Sequence, residues 1–189
     1  MRAGLQPGPC PNRTIRNSLV PLKVELFIWR ARQFRLPTRV ELNKRGMDLG
    51  SIRCPLCDDD LETAEHSVFR CKVAFETWVK VFNWWNIWPM PHLLMAVTFL
   101  GNGLPFCSSV GKQLWQATEW VTGYMLWKNR NVSTFTKSKP TEDIVFKEIQ
   151  LKTFEWISNR SRKVQLDWDI WINNPHFYES HEVDRSGIG

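Results

Sequence analysis

Three cysteines and one histidine stand at metal-ligand spacing, Cys54-x2-Cys57-x8-His66-x4-Cys71. A C-x2-C turn lets two thiolates converge on one ion and offers the turn's backbone N–H groups to their sulfurs. A later His and Cys complete the tetrahedron that zinc accepts without a geometric preference of its own. Four protein ligands leave no open position for water, which marks a structural site and not a catalytic one. Arg53, Arg70 and Lys72 flank the ligands and favour the thiolate form. The competing reading, free thiols in a core, fits poorly with a loop that carries Asp58, Asp59, Asp60 and Glu62. Cys10 and Cys107 lack companion ligands and are expected to be ordinary thiols, and His92, His176 and His181 surface residues.

The elements that must hold these ligands follow from local chemistry. Thr63 suits an N-cap, which places His66 in the first turn of a short helix. His66 and Cys71 are five residues apart, roughly 140° around an ideal helix, so a regular helix cannot aim both at one ion. The helix must break or distort near Arg70 and Cys71, and a new one, with Phe75, Trp78, Val79 and Phe82 on one face, must start beyond. Upstream, Val24, Phe27, Ile28 and Ala31 recur at helical spacing after Pro21. Pro37 then breaks the chain, Thr38 and Glu41 form a capping box, and Gly46 suits the left-handed end of the short helix between them.

Downstream, Pro89, Pro91, Gly101, Gly103 and Pro105 punctuate a stretch with at most a short helix around 93–99. Two longer helices follow. Val110, Leu114, Ala117, Val121 and Tyr124 line the first. The second opens on Thr141 with Glu142 and Asp143 in its first turn, and would bury Ile144, Ile149 and Ile157 with Phe146, Phe154 and Trp156. With no alternating strand pattern, the expected fold is all-α: short helices around a Cys3His zinc knuckle, then two longer helices, with disordered termini. The expected organisation is a flexible arm over 1–20, a zinc-binding domain over 21–88, a helical region over 89–165 and a mostly disordered tail over 166–189.

Charge is uneven along the chain. Residues 1–53 hold 11 Lys or Arg against 3 Asp or Glu, a local net of +8, and the remainder holds 14 against 16, a net of −2. Such asymmetry points to an acidic partner, nucleic acid being the commonest, or else to a solvated surface. The odd number of cysteines, clustered, argues against a secreted disulfide framework. The first residues lack the apolar run of a signal peptide, and Leu93 to Leu100 is too short to span a bilayer. An intracellular, soluble chain is expected, in nucleus or cytoplasm, which makes its three Asn-x-Ser/Thr matches fortuitous. No Tyr/Phe-x-Asp-Asp polymerase motif or endonuclease pattern is visible, and Asp167 and Asp169 lack the partners of a nuclease site.

The run from Val20 to Arg30, then Arg35-Leu36-Pro37-Thr38-Arg39, Leu42, Arg45-Gly46, Cys54-Pro55-Leu56-Cys57, Glu62-Thr63, Glu65-His66, Cys71 and Trp78 resembles the reverse transcriptase zinc-binding domain of plant-type non-LTR retrotransposon polyproteins. The resemblance covers about residues 20–85. Residues 110–135, with Trp127-Lys128-Asn129-Arg130-Asn131, resemble the helical region that often follows. Asp58 stands where family members often have Gly, and Lys72 where many have Pro. The resemblance implies one structural Zn2+ on Cys54, Cys57, His66 and Cys71, and a non-enzymatic module that helps a reverse transcriptase hold RNA or DNA, weakly and without sequence preference. Lys23, Arg30, Arg32, Arg35, Arg39, Lys44 and Arg45 are the candidate phosphate contacts. Trp29 is expected in the core, with base stacking as the alternative. The other readings are a zinc-stapled protein-interaction module, docking on the reverse transcriptase domain or another protein, and a functionless remnant.

Overall fold

The structure, a computed structural model, describes residues 16–87, 108–136 and 138–180. The short helix expected around 93–99 lies outside them, as do Cys10, Cys107, His92, His181 and the outer parts of both termini. The fold is all-α, and among the described residues the nearest approach to a sheet is one isolated bridge between Arg53 and Leu61. In chain order the helices are α1 (Leu22–Arg32), α2 (Arg39–Lys44), a π-helical turn (His66–Arg70), α3 (Lys72–Trp84), α4 (Ser109–Thr136), α5 (Glu142–Arg160), α6 (Trp168–Asn173) and α7 (Phe177–Ser180).

Helix α4 runs through the middle, touching α1, the π turn, α3, α5 and α7. Its sequence marks one apolar face, yet Thr118, Thr122, Asn129 and Ser133 are buried as well. Their side chains donate to the carbonyls of Leu114, Thr118, Met125 and Asn129, one turn back, so they enter the core without unmet polar groups. Around its N-terminal half gathers an aromatic cluster of Trp78, Phe82, Trp84, Trp85, Trp115 and Trp171, with neighbouring ring centroids 5.2–6.2 Å apart. Indole N–H groups of Trp78, Trp84 and Trp171 donate to the carbonyls of Val68, Trp171 and Gln150.

Three helices end alike. Residues Phe34, Gly46 and Asn86 follow the C-caps of α1, α2 and α3 with φ of 51°, 85° and 51°. At each end one N–H returns to a carbonyl three residues back and the next to one five back, the double closure that requires a left-handed residue. Gly46 was legible as such an end; Phe34 was not.

Several expectations are corrected. Residues 16–20 are no loose arm, because Leu19 and Val20 are buried and the Asn17 amide donates to Gln113 and Gln116 of α4. Residues 166–180 are no tail either: Asp167 caps α6, and Trp171 is fully buried. Helices of six and four residues are too short to show periodicity. Ile144 is 53% exposed and Val145 takes its place in the core. Thr141 makes no side-chain cap. Thr38 accepts from the Glu41 N–H at 3.3 Å, but the Glu41 carboxylate accepts from Lys44 and not from Thr38.

Candidate metal centre and basic surface

The knuckle is built by the backbone. Cys54 N–H donates to the Asp60 carbonyl and Asp58 N–H to that of Cys54, with Asp58 carrying the turn at φ 61°, a left-handed position that Asp tolerates. Backbone amides of Leu56 and Cys57 bond to the Cys54 sulfur. The expected distortion beyond His66 is a π turn: Cys71 N–H donates to the His66 carbonyl, five residues back, at 2.7 Å. One extra residue in the turn brings His66 and Cys71 onto the same side. Cys71 then leaves the helix at ψ 137°, and α3 starts afresh without a proline. Thr63 Oγ1 accepts from the His66 N–H at 3.0 Å, the expected cap.

Cys54 and Cys71 sulfurs lie 3.9 Å apart, Cys57 Sγ lies 3.3 Å from His66 Nε2, and the donor atoms of all four residues fall within 4.8 Å of one another. Zinc–sulfur bonds of about 2.3 Å and a zinc–nitrogen bond of about 2.0 Å place tetrahedral donors roughly 3.5–3.8 Å apart. The donor set fits zinc in type, number and spacing. Its electrostatics agree, for the Cys54 and Cys71 sulfurs, 3.9 Å apart, cannot both ionise easily without a cation. A hydrogen bond from Cys71 holds the Cys54 thiol down at about 3, while Cys71 is driven well above its ordinary range by that same bond and by burial. His66 is raised by its hydrogen bond to Cys54.

The sequence reading missed the groups around the ligands. Asp60 Oδ2 stands 3.5 Å from His66 Nδ1, which orients the imidazole so that Nε2 faces the sulfurs. Glu62, fully buried, receives Arg130 of α4 through both Nε and an Nη, the Arg39 backbone N–H and the Ser67 hydroxyl. The Arg130 guanidinium also lies 4.8 Å from the Trp127 ring centroid and donates to Asn131. The Trp127-to-Asn131 motif is therefore the clamp on the zinc loop. A histidine ligand commonly takes a carboxylate on its far nitrogen, the one signal that could have singled out Asp60. No sequence signal links Glu62 to a residue 68 positions away.

The seven candidate phosphate contacts separate. Lys23, Arg30 and Arg39 line one groove of about 830 Å3 between α1, α2 and the C-terminal half of α4, with no carboxylate among the lining residues. Lys23 also rests on the Tyr124 and Trp156 rings. Arg39 is partly committed, donating to the Arg53 carbonyl and facing Glu62 at 3.8 Å. Arg30, Arg35 and Arg45 are exposed. Lys44 pairs with Glu41 at 2.7 Å. Arg32 is half-buried over the Trp120 ring, and burial pulls it below its ordinary value against the pull of Glu119. Trp29, expected in the core, is 44% exposed.

Fold and site together define a helical domain stapled at a Cys3His metal centre. Residues 6–78 match the family described as zinc-binding in reverse transcriptase, so the domain recognised from the sequence is the one this family match finds. No curated protein and no solved structure matches the chain. Among the described residues no helix is long and apolar enough to cross a membrane.

Proposed function

We propose that this chain is a zinc-braced, nucleic-acid-binding accessory module of a plant-type non-LTR retrotransposon reverse transcriptase, non-catalytic and working inside the cell. One observation carries the reading: within a stretch, residues 1–53, of net charge +8, Lys23, Arg30 and Arg39 line a groove with no carboxylate among its lining residues, and Arg35 and Arg45 are exposed nearby in sequence. The zinc loop is a brace and not the reader. Its tip is acidic through Asp58, Asp59 and Asp60, which repels phosphate, while Arg53 donates to the Asp58 and Asp59 carbonyls and Arg39 to the Arg53 carbonyl, tying the loop to α2. Binding carried by phosphate contacts weakens with salt, by a slope of about −0.7 per contact on single strands and −0.9 on duplex.

The test is a salt-dependent titration of zinc-loaded protein with RNA and DNA. Arg30, Arg35 and Arg45, each changed to Glu, form the triple reversal, because Arg32 and Arg39 have structural duties that confound the result. Affinity and slope should both fall. Unchanged affinity at low salt would leave the basic face a solvated surface. The groove's apolar floor, with Leu26 and Met47 half exposed and Phe135 83% exposed, then favours a protein-docking module instead.

A further inference from the structure

We infer that the C-terminal end of α1 stacks unpaired bases on Trp29 and Phe34, so that the nucleic acid this chain recognises is single-stranded. The inference rests on the nucleic-acid reading above and adds the strandedness that reading leaves open. The segment Trp29-Arg30-Ala31-Arg32-Gln33-Phe34-Arg35 interleaves aromatic and basic side chains, and its two rings are 44% and 77% exposed. The α1 end is closed by the Phe34 N–H on the Ala31 carbonyl at 3.0 Å and the Arg35 N–H on that of Arg30 at 2.9 Å, which holds Phe34 left-handed at φ 51°. The same closure at the other two helix ends falls on Gly46 and Asn86, residues at ease there. A phenylalanine is strained at such a position and here gains little burial in return. Neither the fold nor the helix end accounts for it.

Its surroundings suit a base. The Arg35 guanidinium lies 5.9 Å from the Trp29 ring centroid, and neither Arg30 nor Arg35 pairs with a carboxylate among the described residues. Aromatic faces beside arginines take bases of any sequence by stacking, while the arginines take the phosphates. A duplex keeps its base faces inside its own stack and offers such a surface phosphates alone.

The experiment uses the full zinc-loaded chain and labelled single-stranded RNA, single-stranded DNA and a DNA duplex of equal length, read by fluorescence anisotropy at low salt. Phe34→Gly removes the ring and relieves the backbone, so it should fold with an equal or higher thermal midpoint. Trp29→Leu keeps apolar bulk. Each variant should lose single-strand affinity by roughly tenfold and leave duplex affinity unchanged. Wild-type binding that both variants retain, or lose equally on single strands and duplex, overturns this inference alone. A lowered midpoint in Phe34→Gly makes the ring structural and overturns it too. Failure of the wild-type chain to bind any of the three oligonucleotides overturns the nucleic-acid reading itself.

Discussion

Three of the four ligands at the metal centre depend on something other than themselves for their aim. Cys54 is held by turn amides, Cys71 by the end of the π turn, and His66 by Asp60 on its far nitrogen. Cys57→Ser or His66→Ala is expected to abolish stoichiometric zinc, measured by metal analysis of the purified chain. Asp60→Asn should keep the metal but weaken its affinity about tenfold in competition with a chromophoric chelator, since carboxylates behind histidine ligands contribute on that order. Asp59→Asn, one residue away, should leave affinity alone. If the two variants behaved alike, Asp60 would be only another charge of the acidic loop.

Between elements, the Glu62–Arg130 pair is the decisive contact. It joins the zinc loop to α4 across the core, with the two side chains 0% and 6% exposed. Such a pair contributes little net stability when intact, but removing one partner strands the other charge at a cost of about 3–5 kcal/mol. Arg130→Met should therefore destabilise the chain by that amount in urea unfolding followed by tryptophan fluorescence. Adding Glu62→Leu to it should recover most of the loss, because two apolar side chains need no mutual neutralisation. A single-variant cost below about 1 kcal/mol would show that Arg39, 3.8 Å away, or water takes the place of Arg130 at Glu62.

On the scale of the whole molecule, one continuous core runs from Leu19 to Tyr178 and includes Cys54, Leu56, Val68 and Cys71 beside the helices. Separate cores for the zinc-binding and downstream segments, with the long helices outlasting metal removal, would be the expectation from sequence alone. The packing of α4 on the π turn and the Arg130 clamp argue otherwise. Structural zinc contributes about 10–16 kcal/mol in small modules, comparable with the whole stability of an ordinary domain at about 5–15 kcal/mol. Chelation should lower the thermal midpoint of α4 together with that of the loop. Amide exchange of residues 125–133 with and without chelator reads this directly, and unchanged protection there would restore two independent units. Acid should act in the same sense, because proton uptake by three thiolates and an imidazole competes with the metal.

The amino-acid sequence alone determined whatever depends on near neighbours in the chain. It named the four ligands, since ligand type and spacing are local. It required a distortion between His66 and Cys71, since the angular arithmetic of a helix allows nothing else. It placed the ends at Thr38, Gly46 and Thr63, where a cap is a matter of one side chain or one φ. Tertiary structure decided what depends on distant partners. A basic residue looks the same in sequence whether it is exposed like Arg30, laid over a tryptophan like Arg32, or spent on a buried carboxylate like Arg130. Trp171 is fixed by the rings of Trp84 and Trp85 at the C-terminal end of α3, not by its own six-residue helix. Threonines and an asparagine sit inside α4 because the helix satisfies them itself, which polarity patterning reads as exposure. Periodicity records which residues are apolar, but burial and pairing are properties of the assembled chain, set by surfaces tens of residues apart.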